Sequence, residues 1–387
     1  MVEAIHLSFS RHLVFLAGCY QIHKFPNICH RRMYIFYKHF IDGFFVFNCI
    51  LLFFGLYKYI DNTPILSETT SYSLLYCIIY VINRQVRSAK VTNVFLDMEK
   101  QEVDLLKAAN SDVLKMLTHY ATLNNQVTKS IFWIVTVFCS YYVVSRRFLS
   151  NKPVYYQYYP LDTERFIILE FITQSVFLAV CDIYFVFSKA SLIMMLMFML
   201  FRLKTIQYFL KNIEHFANHV QEKFKMSTDD ARYHVIKSII KEHCLVIDLI
   251  INVRDCCSTF ILLDFLLSSL QLGAILLKIY PGFEEETLWD KLVAVFFAFI
   301  VNRPMWVFYF YGSQLIQESG DISMVAYMEI LWYDYDKKSK DALLLLMLRS
   351  QKDLSLKIGP FGIVGLEAFL QLCKATLSYF TFMRSFY

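Results

Sequence analysis

Glycine (10) and proline (7) are scarce in this 387-residue chain, so it lacks the turn residues that an all-β or loop-rich protein needs. Its apolar stretches, such as Phe45–Leu56 and Ser191–Phe201, do not alternate with polar residues. That excludes the strands of a transmembrane β-barrel, which would alternate with period two. Lysine and arginine are missing in a patterned way. About seven apolar stretches, each long enough to cross a bilayer, divide the chain into polar segments. Four alternate segments (about 1–32, 89–126, 202–251 and 313–358) hold 22 Lys and Arg residues, and the intervening ones (about 60–70, 150–168 and 280–290, with the short tail) hold only Lys152 and Arg165. None of the ten cysteines (Cys19, Cys29, Cys49, Cys77, Cys139, Cys181, Cys244, Cys256, Cys257 and Cys373) lies in the cation-poor segments, so no disulfide framework is expected. Residues 1–20 lack the basic start, apolar run and small-residue cleavage site of a signal peptide. Ile5–Tyr20 reads instead as an amphipathic cytoplasmic or interfacial segment retained in the mature protein.

The chain is rich in apolar and aromatic residues, 57% and 17%, with a mean hydropathy of +0.43. The fold class is therefore an all-α membrane protein, one polytopic domain over residues 1–387. Expected spans are about 34–59, 69–89, 127–148, 168–200, 252–279, 290–312 and 359–385. The positive-inside rule puts the basic segments and the N-terminus in the cytoplasm, and an odd number of crossings puts the C-terminus outside. That orientation is the reverse of a G-protein-coupled receptor's, and no DRY-like or NPxxY-like string is present. The net charge of +5 follows from the cytoplasmic segments and calls for no nucleic-acid partner. Ile206, Phe209, Leu210, Ile213, Phe216, Val220 and Phe224 recur near helical spacing. They predict a helix running down from the fourth span and, after a break near Ser227–Asp229, a second one returning to the fifth. Residues 340–350, KDALLLLMLRS, are too short to cross and predict a buried cytoplasmic helix that packs with these. There is no internal repeat of the kind transporters carry, and no carboxylate or His pair at catalytic spacing within a span. Neither an enzyme nor a cofactor is expected.

In the last span Glu367, Gln371, Lys374, Ser378, Phe382 and Ser385 succeed one another at spacings of four and three, and so lie on one helix face. Facing lipid, such a stripe would be costly. It packs against neighbouring helices of the same subunit, or it lines a water-filled path. His215 and His219, four apart, have no Cys or carboxylate placed to complete a metal site and read as a solvated helix face. Asp42, Asp182 and Asp264 lie in or near spans and mark polar contacts, with Asp264 in the most apolar surroundings and without an evident partner. Arg303, before Pro304, supports either a kink in the sixth span or a packing salt link.

Several strings resemble the insect odorant receptor family. Tyr155–Ser175, YYQYYPLDTERFIILEFITQS, resembles the family's second extracellular loop running into its fourth helix, and Tyr311–Ser319, YGSQLIQES, the stretch leaving the sixth. Trp332–Lys352, WYDYDKKSKDALLLLMLRSQK, and Ile358–Tyr387, IGPFGIVGLEAFLQLCKATLSYFTFMRSFY, are the strongest match. Gustatory receptors share the fold but end in T-Y-x5-Q-F. Ser378, Tyr379, Ser385 and Phe386 keep only two of those four positions. The co-receptor's long insertion between its fourth and fifth helices has no room here.

The resemblance implies a ligand-tuning subunit of an odorant-gated, non-selective cation channel. Such a subunit forms a heterotetramer with the odorant co-receptor in the plasma membrane of olfactory sensory neuron dendrites. The alternatives are a gustatory-type homomeric channel and, behind it, a G-protein-coupled receptor. It also implies a gate at the outer end of the last helix, with Lys374, Ser378, Phe382, Ser385 and Phe386 along the pore. A hydrophobic constriction of that kind closes by dewetting. The ligand site would lie in the outer halves of the second to sixth helices, among Tyr72, Tyr76, Phe138, Tyr141, Tyr142, Gln174, Phe177, Leu178, Cys181, Phe296 and Phe297. Tyr76, Tyr142 and Gln174 are the polar candidates, each against the alternative of ordinary helix packing. A small volatile ligand would be held there mainly by burial of apolar surface, at roughly 25 cal/mol per Å².

Overall fold

The computed structural model describes residues 16–18, 28–108, 110–149, 152–159, 165–279 and 288–384. Among these, the α-helices in order are α1 Ile28–Lys58, α2 Thr63–Val86, α3 Ala89–Ala108, α4 Ser111–Val144, α5 Ile167–Lys211, α6 Ile213–Phe224, α7 Thr228–Ile279, α8 Leu288–Met328, α9 Lys337–Ser350 and α10 Leu366–Arg384. Local chemistry sets several starts. The Asn62 side chain accepts from the Ile65 N–H at 3.3 Å just before Pro64. Asp336 accepts from the Lys338 and Ser339 N–H groups at 3.1 and 3.2 Å. Both satisfy donors that a helix N-terminus leaves open.

Each expected span overlaps a helix, but the second helix ends at Val86 and not at 89, and the last begins at Leu366 and not at 359. Among the described residues, three helical stretches, Ile28–Lys58, Ser111–Phe148 and Ile167–Lys211, are long and apolar enough to cross a membrane by length and composition. In α2, Thr69, Thr70 and Ser73 turn their hydroxyls onto the carbonyls of Ile65, Leu66 and Thr69 at 2.7–2.8 Å, which satisfies them without water.

α5 is the axis of the bundle. It packs against α1, α2, α4, α7 and α8, and Val186–Leu203 is buried without interruption, its two charges, Lys189 and Arg202, paired with Asp264 and Glu242. At 45, 52 and 41 residues, α5, α7 and α8 far exceed the roughly 20 needed to cross. Their ends on the side of the basic segments pack with α6 and α9 into one helical body, as expected from the periodicity. The return falls at Lys225, in the left-handed region (φ 52°), between α6 and α7. The descending helix is not continuous, however: Asn212 (φ −113°, ψ 25°) divides α5 from α6. Its side-chain amide donates to the Tyr208 carbonyl at 2.8 Å, the local competition that makes Asn a helix breaker.

A tight turn leads into α10. Lys357 and Ile363 form an antiparallel bridge around Gly359 (φ +50°) and Gly362 (φ +114°), conformations that favour glycine. α10 then buries Ala368, Leu372 and Thr376 against α7 and α8, and the Phe369 ring lies 6.0 Å from that of Tyr309.

Candidate functional site: an aromatic nest closed by the segment 152–159

At the cation-poor end of the bundle, α2 places Tyr72 and Tyr76 one turn apart, with rings stacked at 6.1 Å. α4 contributes Tyr142, whose hydroxyl meets that of Tyr72 at 2.6 Å. α5 contributes Gln174, Phe177, Leu178 and Cys181, all buried. Into their midst comes a residue the sequence reading did not single out, Tyr155. It lies on the segment joining α4 to α5 and is 1% exposed. Its ring meets Tyr72, Tyr76 and Phe177 edge-to-face at 5.3, 5.5 and 6.1 Å. The Tyr76 hydroxyl donates to the Tyr155 hydroxyl at 2.7 Å. Gln174 binds the Tyr155 main chain twice: its Oε1 accepts from the N–H at 3.2 Å, and its Nε2 donates to the carbonyl at 3.1 Å. Burial pushes the Tyr155 phenol well above its ordinary pKa, so it stays a neutral O–H.

The connecting segment is fixed from outside the nest. The Lys152 N–H donates to the Arg146 carbonyl at 2.9 Å, and the Tyr158 N–H to the Leu51 carbonyl at 3.0 Å. Thr69 donates to the Tyr156 carbonyl at 3.3 Å. Gly55 of α1 permits this approach, since a Cβ there would meet the Tyr156 carbonyl oxygen at 2.8 Å. One turn beyond Tyr72 and Tyr142, Glu68 and Arg146 pair at 3.0 Å with side chains 13% and 11% exposed. The Arg146 guanidinium also covers the Tyr142 and Tyr156 rings at 5.9 and 5.3 Å. Arg146 falls inside the stretch 127–148 expected to cross, and no local pattern in the sequence marked it. Tyr155 was visible only as one of four tyrosines in a five-residue stretch, Tyr155–Tyr159.

The remaining expected ligand residues fall elsewhere. Phe138, Tyr141 and Phe296 line an open apolar cleft of about 580 Å³ between α4 and α8, with Trp133, Ile134, Val137, Leu292 and Ile300. Tyr141 and Phe296 are 38% and 63% exposed. Phe138 joins the two regions, stacking on Tyr142 at 6.4 Å and on Phe297 at 5.7 Å.

On α10, Glu367, Gln371, Lys374 and Ser378 are exposed on the face opposite Ala368, Leu372 and Thr376, so the stripe does not pack inside this chain. Phe382 belongs to the last turns of α10, while Ser385 and Phe386 lie outside the described residues, as does Ile5–Tyr20 apart from residues 16–18. The span aspartates have partners. Asp264 pairs with Lys189. Asp42 accepts from Arg87 at 2.6 and 2.8 Å and from Tyr184 at 2.8 Å, and Asp182 accepts from Cys139 at 2.9 Å. His215 and His219 join no group of three or more metal-ligating side chains among the described residues.

The fold is similar to that of the olfactory receptor OR5 from Machilis hrabei, solved alone and in complex with eugenol. The eugenol-bound structure superposes with a TM-score of 0.75 at 13% identity, covering 99% of this chain and 100% of that one. The structure of that receptor alone gives 0.74 at 12%, with 97% of each covered. Curated relatives include Odorant receptor 10 of Aedes albopictus, 27% identical over 49% of this chain and 48% of that protein. Odorant receptor 82a of Drosophila melanogaster is 25% identical over 42% of this chain and 41% of that protein. The chain thus spans about half the length, or less, of the curated relatives it matches. Residues 56–377 match the family described as 7tm Odorant receptor, a receptor family and not an enzyme family, and this chain, an all-α membrane protein, belongs to it.

Proposed function

We propose that this chain is a ligand-tuning odorant receptor subunit, which binds a small volatile molecule in the outer half of its bundle and gates a cation path shared with a co-receptor in a heterotetramer. In this reading the basic end is cytoplasmic and the nest around Tyr72, Tyr76, Tyr142 and Gln174 belongs to the ligand site. α10 lines the pore through Lys374, Ser378, Phe382, Ser385 and Phe386. The observation that carries it is the exposed polar stripe of α10. Glu367, Gln371, Lys374 and Ser378 face away from the chain's own helices, and a membrane helix with such a face requires water or a partner. A water-filled axis between subunits supplies both.

The aromatic nest supports the other half of the reading. Its walls are apolar, with a few hydroxyls and one amide that can orient a ligand. The test is whole-cell current in cells expressing the chain with and without an insect odorant co-receptor, under a panel of volatiles and with G-protein signalling blocked. A fast cation current that needs both subunits is expected. Current from this chain alone would make it a homomeric, gustatory-type channel, and silence with surface expression verified would refute the channel reading.

A further inference from the structure

The nest is already occupied by the chain itself. The Tyr155 ring is held edge-to-face by Tyr72, Tyr76 and Phe177, the arrangement aromatic rings prefer, and its hydroxyl takes a hydrogen bond from Tyr76 at 2.7 Å. The groups that hold the ring are not those that hold its tether. Gln174 fixes the Tyr155 main chain, while Arg146, Leu51 and Thr69 fix the segment on either side. The hydrogen bonds of the tether therefore do not depend on the place of the ring in the nest.

We infer that the Tyr155 side chain is a built-in occupant of the odorant site, and that the site accepts a 4-alkylphenol by displacing it. This rests on the proposal that the nest is part of that site. The simplest such ligand is p-cresol, which is the tyrosine side chain severed at its Cα–Cβ bond. The hydroxyl requirement follows from Tyr76, which is 3% exposed. An apolar ring in place of Tyr155 leaves that hydroxyl without its partner, and buried unpaired polar groups discriminate strongly against such a ligand. The alkyl group follows from Cβ, which enters from the segment 152–159 and marks where a para substituent would point. In the intact protein a free phenol competes with a tethered one at high effective concentration, so its apparent affinity is reduced.

The test is heat stability of the purified full-length protein in nanodiscs, titrated with p-cresol and with toluene, for the wild type and for Tyr155→Ala. The midpoint for p-cresol is expected to fall about tenfold or more on Tyr155→Ala, and p-cresol to bind that variant about tenfold better than toluene. Adding Tyr76→Phe to Tyr155→Ala should remove the preference for the hydroxyl. Equal p-cresol midpoints in wild type and Tyr155→Ala, or no preference over toluene, overturn the inference. If Tyr155→Ala is recovered poorly, p-cresol in the expression medium should raise the yield of folded protein where toluene does not; no increase also overturns it. Binding is read here without current. A chain that binds p-cresol as expected yet conducts nothing with the co-receptor sinks the channel reading alone. Co-receptor-dependent currents with unaltered p-cresol binding sink this inference alone.

Discussion

Lys189 and Asp264 form an ion pair inside the bundle, and its removal one charge at a time should be severe. The two side chains are 4% and 7% exposed, and the Lys189 ammonium sits 5.4 Å from the centre of the Phe185 ring. Replacing Lys189 by Met leaves a carboxylate with no counter-charge in apolar surroundings, and Asp264→Leu leaves the converse. Either should cost about 3–5 kcal/mol, a large share of the roughly 5–15 kcal/mol that holds a typical domain together. Both changes together remove both desolvation penalties, so the double variant should lie near wild type or up to about 1–4 kcal/mol above it. The assay is the thermal transition of all four proteins by fluorescence-detected size exclusion, with surface expression alongside. Strongly non-additive losses are expected. Single losses that sum within about 0.5 kcal/mol to the loss of the double would refute the reasoning.

Asp264 also sits between Leu262, which packs on Gly359, and Phe265, which stacks on Phe361 at 5.3 Å, both in the turn that starts α10. A double variant with normal stability therefore allows gating to be measured apart from folding.

Phe382→Ala or Phe386→Ala should raise ligand-free leak or alter ion selectivity in the assembled channel. Unchanged currents at equal surface density in both would remove them from the gate. Tyr76→Ala and Tyr142→Ala should reorder ligand potencies at constant single-channel conductance, whereas uniform loss of response with loss of surface protein would mark them as packing residues. Gly312→Ala places a Cβ 2.6 Å from Val364 Cγ1 and 2.8 Å from its carbonyl oxygen, and since the backbone cannot yield it should cost about 1–3 kcal/mol, read as a lowered thermal transition. His243 is 2% exposed, and burial, with the nearby Arg349 charge, lowers its pKa from 6.5 to about 4. The unfolded chain therefore binds a proton that the folded one refuses. Stability from this group is complete above pH 6.5 and falls by about 1.4 kcal/mol per unit as pH drops toward 4. His243→Gln should flatten that part of the stability profile, and an unchanged slope would count against it.

The degree to which the site was legible differs element by element. Periodicity and apolar content foresaw the helices because they are local properties, while the break expected near Ser227–Asp229 falls at Lys225, with Thr228 already starting α7. The face shared by Glu367, Gln371, Lys374 and Ser378 is also local, since helical geometry alone sets it. The resemblance to the family, applied to position along the spans, named Tyr72, Tyr76, Tyr142 and Gln174, which meet in the nest, and equally Phe138, Tyr141 and Phe296, which stand at an open cleft. Which side of a helix faces inward depends on helix rotation, and α4 carries aromatic residues on several faces.

By itself, the sequence determined a multi-span helical membrane protein, a basic and a cation-poor end, and a polar stripe on its last helix, all consequences of spacing and hydropathy. Only the tertiary structure decided that Lys189 answers Asp264, 75 residues away, and that α5 is the axis. It alone revealed that a tyrosine from the segment before α5 fills the nest. Those facts depend on contacts between residues distant in the chain, and no local pattern encodes which distant group a buried charge or an aromatic ring will meet.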